Sequence, residues 1–122
     1  MLNIEENLRK YNITIPKANK PVANYSPFVK TEKLIFISGQ IPIADGNMLF
    51  TGKVNKDLEI SSAVKAAELC MLNSFAILKD AVQNNLNLIR RCVKINVFIN
   101  KMHTSLRQTL ADSNVAKCRK ML

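Results

Sequence analysis

The segment Leu34-Ile35-Phe36-Ile37-Ser38-Gly39-Gln40-Ile41-Pro42 carries four apolar residues in a row, then a hydroxyl, a glycine and an amide ahead of a proline. Such a run reads as a strand. A strand apolar on both faces must be covered on both, by a helix on one side and by another sheet or subunit on the other. Glycine just past a strand end lets a ligand approach the backbone N–H, although a plain turn fits the same residues equally well. Ser38 and Gly39 are thereby the first candidates for a site.

Working upstream, Tyr25 to Lys30 is a second β-run, joined to the first by Lys30-Thr31-Glu32-Lys33, a connection of hairpin length. Ahead of it, Lys17 to Asn24 reads as an extended connector flanked and interrupted by Pro16 and Pro21. Ile4 to Tyr11 reads as a short amphipathic helix, with Asn3 as its cap, Glu5 and Glu6 at its start and Arg9 and Lys10 at its end.

Downstream, Asp45-Gly46-Asn47 is a turn that feeds a third β-run, Met48 to Thr51, which Gly52 ends. The spacing of Val64, Ala67, Met71, Phe75, Leu78 and Val82 predicts a helix over Ser61 to Asn84. Its apolar face, widened by Leu69, Cys70 and Ile77, is broad enough to pack across a sheet. From Cys92 to Ile99, apolar Val93, Ile95, Val97 and Ile99 alternate with the other side, which predicts a half-exposed strand. Leu106, Leu110 and Val115 form a weak helical stripe, so 101–122 is expected to be helical. The order β-β-β-α-β, without repeats, predicts an α+β fold in a single domain spanning 1–122.

At 122 residues the chain is long enough for one domain with its own core, and 48% hydrophobic residues exclude a disordered or low-complexity chain. No run approaches the roughly 18 apolar residues of a membrane helix, and MLNIEENLRK has acids where a secretory signal has bases. Cys70, Cys92 and Cys118 are odd in number and widely spaced, which fits neither a disulfide framework nor a zinc pair. A cytoplasmic location without membrane association is expected. The net charge of +9 invites a nucleic-acid partner. However, 13 of the 18 basic residues are lysine and they are not clustered, as an AT-rich coding bias produces, so no such partner is expected.

Other motifs carry little chemistry. His103 is the single histidine and has no ligand-spaced neighbours, so no metal is expected. Ser62-Ala63-Val64-Lys65 matches the acyl-enzyme pattern S-x-x-K without its companion motifs and reads as a helix N-terminus. The three glycines stand singly, so there is no phosphate loop and no cofactor is expected. Arg90-Arg91 reads as a solvated basic pair.

Asn24-Tyr25-Ser26, an apolar strand, and then Ser38-Gly39-Gln40-Ile41-Pro42 resemble the signature of the reactive intermediate deaminase family, also called YjgF or L-PSP. Gly52-Lys53-Val54, the helix through Ala63 to Leu78 and the run Val93 to Ile99 agree with it, so the resemblance covers about 4–100. The early helix and Ile15-Pro16 are similar to the family's longer-N-terminus branch.

The resemblance implies a chorismate-mutase-like α+β fold, a mixed sheet with helices on one face, and a homotrimer with clefts between subunits. In those clefts enamines or imines of 2-amino acids are hydrolysed to 2-keto acids and ammonia. It also implies that Tyr25, Ser38 and Gly39 line the small-molecule site. The family's carboxylate-gripping arginine, in a segment like R-S-A-V, and its late glutamate are not found after Asn100; Arg107 and Arg119 match neither. Residues 101–122 therefore read as a divergent basic tail, truncated or replaced, with the C-terminal strands missing. A noncatalytic metabolite-binding or regulatory module is the alternative, and an RNA-binding or RNA-cleaving protein a third.

Overall fold

The computed structural model describes residues 3–101; nearly all of the tail expected to be helical lies outside the described residues. The first helix, α1, spans Ile4–Lys10, with the Asn3 side chain accepting from the Glu6 N–H at 3.1 Å. Its end is a Schellman motif: Asn12 takes the left-handed conformation at φ 53°, its N–H donates to Arg9 O, and the Ile13 N–H donates to Leu8 O. Asparagine tolerates that conformation better than other side chains with a Cβ.

Strands β1 (Phe28–Thr31) and β2 (Leu34–Ile37) pair antiparallel, with Val29 opposite Phe36 and Thr31 opposite Leu34. The ladder takes in Lys30 and Thr31, so the connection is shorter than the sequence implies: Glu32 and Lys33 alone. One face carries half-buried Ile35 and Ile37, with Ile35 packed on the main core. The other carries Val29, Leu34 and Phe36, which are 56%, 44% and 59% exposed. Coverage of the two-sided apolar strand is thus complete on one side within the chain.

A second hairpin pairs β3 (Ile43–Ala44) with β4 (Asn47–Met48). Its two central residues, Asp45 and Gly46, have φ of 51° and 78°, the pair of left-handed residues that a type I′ turn requires. The long helix, α2, spans Ile60–Ala81 and also closes with a Schellman motif, in which Gln83 N–H donates to Asp80 O and Asn84 N–H to Lys79 O. That motif accounts for the three residues by which the helix stops short of Asn84.

Phe75, 2% exposed, sits with Ile4, Leu8, Val82 and Leu86 in the main core, so α1 supplies core residues. Burying a side chain of this size contributes about 1.5–3 kcal/mol. Met71 and Leu78 pack against this cluster, and Val64 packs on a smaller one formed by Val54 and Ala63. Beyond the expected face, which includes the buried Ile77, α2 also buries Asn73, Ala76 and Ala81. By length and composition α2 would suffice to cross a bilayer, with a mean hydropathy of 1.2 over 18 residues. Of that window 28% is buried within the chain, with Phe75, Ala76, Ile77 and Ala81 among the buried residues of the helix.

The architecture is α+β, with its strands in two separate antiparallel hairpins among the described residues. The strand expected over Cys92–Ile99 is not formed there: those residues pair with no strand and are exposed, Phe98 by 93%. Alternation marks a strand only where a neighbour supplies the ladder and the cross-strand contacts. Contact resumes at its end, where the Val54 N–H donates to Asn100 O at 2.9 Å and Val54 bridges to Lys101.

Candidate functional site

The segment after β2 is tied down from three directions. The Ser38 N–H donates to Pro27 O at 3.0 Å and its hydroxyl donates to Ser26 O at 2.6 Å, which holds the entry to β1 against the exit from β2. The Gln40 amide folds back to donate to Ser38 O at 3.0 Å. Three residues on, the Ile43 N–H donates to Ile41 O at 2.8 Å across Pro42, whose fixed φ suits so tight a turn.

The third tie comes from α2. Asn73 is 2% exposed, and its Nδ2 donates to Ile41 O at 3.1 Å and to Ile43 O at 2.9 Å. Its Oδ1 accepts from Asn19 Nδ2 at 3.2 Å, and the same Asn19 amide lies 3.3 Å from Ile43 O. A buried amide is costly unless it is hydrogen-bonded, and this one has every donor and its acceptor engaged. Helix, connector and the stretch after Gly39 are thereby locked into one unit.

A small recess opens beside this unit, lined among others by Asn19, Lys20, Tyr25, Gly39, Gln40 and Asn73. Ile41 and Ile77 supply apolar wall. Of the three residues expected from the sequence, the structure brings Tyr25 and Gly39 together here. Ser38 is not part of the lining, and the one hydroxyl proton it can donate goes to Ser26 O. Gly39 is exposed, a Cβ there would meet nothing within 4 Å, and its N–H has no acceptor among the described residues.

Asn73 and Lys20 are the contributors that sequence reading missed. A polar residue within an otherwise broad apolar helical face was the available signal for Asn73; Lys20 carried none, being one of many lysines. Elsewhere, burial pushes the Cys70 thiol up, which suppresses the thiolate and makes it a poor nucleophile. Arg90 and Arg91 are exposed on the extended segment, and His103, Arg107 and Arg119 lie outside the described residues.

An antiparallel hairpin ending in an exposed glycine, backed by a long helix, defines a class of small α+β domains. Residues 5–116 match the family described as "YjgF/chorismate_mutase-like, putative endoribonuclease", and the chain belongs to that family. It is 29% identical over 106 residues to "Protein TCP17" of Trypanosoma cruzi, covering 87% of this chain and 66% of that protein. Among solved structures, the protein Atu1372 of Agrobacterium tumefaciens, "with unknown function", is similar at 41% identity with a TM-score of 0.62, over 72% of this chain and 53% of that one. A Shewanella oneidensis protein described as "a putative endoribonuclease" is similar at 28% identity and a TM-score of 0.61, over 66% and 54%. The chain thus spans about two thirds of the length of the trypanosome relative and about half of the two solved chains.

Proposed function

We propose that this protein is a deaminase of reactive imines and enamines, converting 2-imino or 2-enamino acids to 2-keto acids and ammonia. The observation that carries the reading is the meeting of Tyr25 with the unpaired Gly39 N–H at one recess, at the end of the strand that the family signature occupies. In the hydrolysis, water adds to the carbon of the C=N bond, a proton moves to nitrogen, and ammonia leaves as the carbonyl forms. The Gly39 N–H is suited to receive a substrate oxygen and the Tyr25 hydroxyl to hold water or substrate by hydrogen bonding. Ser38 acts as a brace that holds Gly39 in place.

The bare face of Val29, Leu34 and Phe36 supports assembly into a homotrimer, in which a neighbouring subunit covers the second side of β2 and completes the cleft. The unpaired thiols of Cys70 and Cys92 suit the cytoplasm. Generating the imine with an amino-acid oxidase and following its decay with and without the protein tests the reading. We expect faster decay with the protein, at least about tenfold slower than with a family member that carries the carboxylate-binding arginine, a difference of about 1.4 kcal/mol. Decay unchanged by the protein would reject the enzyme reading and favour a metabolite-binding module.

The names of the family and of the Shewanella relative favour ribonuclease action as a second reading, to which a charge of +9 adds. Binding to single-stranded RNA that falls steeply with salt, together with cleavage, would establish it, because phosphate contacts release counterions and metabolite contacts do not.

A further inference from the structure

We infer that Lys20 is the cation that receives the carboxylate of the ligand in the recess, a role held by a residue of the connector. The inference rests on the reading of that recess as the binding site. Among the described residues Lys20 is the single charged residue lining it, and no carboxylate shares the lining. No hydrogen bond or ion pair among the described residues engages its ammonium. Lys20, Tyr25 and Gly39 all belong to its lining, so an ammonium, a phenol and a backbone N–H without an acceptor among the described residues are available there, donors that suit a small anion with an adjoining polar group.

The backbone around Lys20 is built to stay in place. On one side Asn19 is fastened to Asn73 and lies against Ile43 O; on the other, Pro21 has a fixed φ. A lysine in a free linker would lose much of its backbone freedom on binding, whereas this one has already lost it. As a point charge it lacks the two-pronged geometry of a guanidinium, so it accepts carboxylates without demanding one orientation.

The test uses pyruvate as the charged probe and pyruvamide as its uncharged counterpart, titrated into the full chain while the Gly39 amide resonance is followed by NMR. Pyruvate is expected to shift that resonance in the wild type, Lys20→Met to raise its Kd about tenfold, and Lys20→Arg to restore it to within about threefold. Pyruvamide should bind wild type and Lys20→Met alike. Lys33→Met, which removes the same charge from the first hairpin's turn, should leave the pyruvate Kd unchanged. Equal losses in Lys20→Met and Lys33→Met, equal losses for both probes, or no pyruvate binding by the wild type at about 100 mM would each overturn the inference. Pyruvate binding that depends on Lys20, in a protein that leaves imine decay unchanged, would reject the deaminase reading and leave the role of Lys20 standing.

Discussion

Asn19 and Asn73 join their side-chain amides at 3.2 Å across 54 positions of sequence. Through this pair a connector that reads as a plain linker becomes a wall of the recess. The Asn73 donors set where the chain runs after Gly39, and its acceptor sets where the connector runs beside Tyr25.

Replacing Asn73 separates its two roles. Asn73→Ala removes one donor each from Ile41 O and Ile43 O and strips Asn19 of a partner, for an expected loss of about 1–3 kcal/mol in urea unfolding. Asn73→Asp should lose more, because its carboxylate would face the carbonyls of Ile41 and Ile43 without a proton to offer.

Phe75 of α2 lies in the main core with Ile4 of α1 and Leu86, each 2% exposed or less. Phe75→Ala is expected to cost about 3–5 kcal/mol, close to the whole stability of a small domain. Calorimetry would show a fall of many degrees in Tm; a loss under about 1 kcal/mol would contradict the packing.

At the end of α2, Gln83 adopts φ 53° in the position that glycine usually fills in a Schellman motif. Gln83→Gly should therefore stabilise the protein by about 0.5–1 kcal/mol, since a left-handed residue with a Cβ costs about 1–2 kcal/mol and glycine gives some of this back as chain entropy. Thermal unfolding of the two proteins side by side checks the sign.

Two glycines should respond in opposite ways. At Gly52, φ is 115° and a Cβ would lie 2.5 Å from the Asp57 Cβ, so Gly52→Ala is expected to cost at least about 1–3 kcal/mol. Gly39 has open space and no such φ, so Gly39→Val should change stability by less than about 0.5 kcal/mol while abolishing pyruvate binding.

Burial raises the pKa of Cys70, whereas Cys92 is exposed. Iodoacetamide at pH 8 should therefore modify Cys92 well before Cys70, which peptide mass spectrometry resolves. The sign for stability follows: a thiol kept neutral by folding contributes fully below the ordinary thiol pKa, and that contribution is lost as pH rises above it.

What was legible in the sequence was what neighbours along the chain decide. Asn3 caps α1, Asp45-Gly46 turns the second hairpin and the apolar spacing places α2, each through interactions within a few residues. The strand over Cys92–Ile99 was misjudged because alternation records a preference and a ladder needs a partner. Gly39 stood out at the strand end and Tyr25 in the signature, and both line the recess; the position of Ser38 and the work of Asn73 depend on contacts between residues far apart in sequence.

Lys30 donates to Ala81 O at 2.8 Å, spanning 51 positions between β1 and the last turn of α2. Closing a flexible loop of that length costs about 3.5 kcal/mol plus a constant in chain entropy, more than one partly solvated ammonium bond returns. The bond therefore cannot recruit the hairpin to the helix; it can only snap shut after Ile35 has already reached the core. It behaves as a latch, favourable at the helix C-terminus and dependent on assembly having gone before.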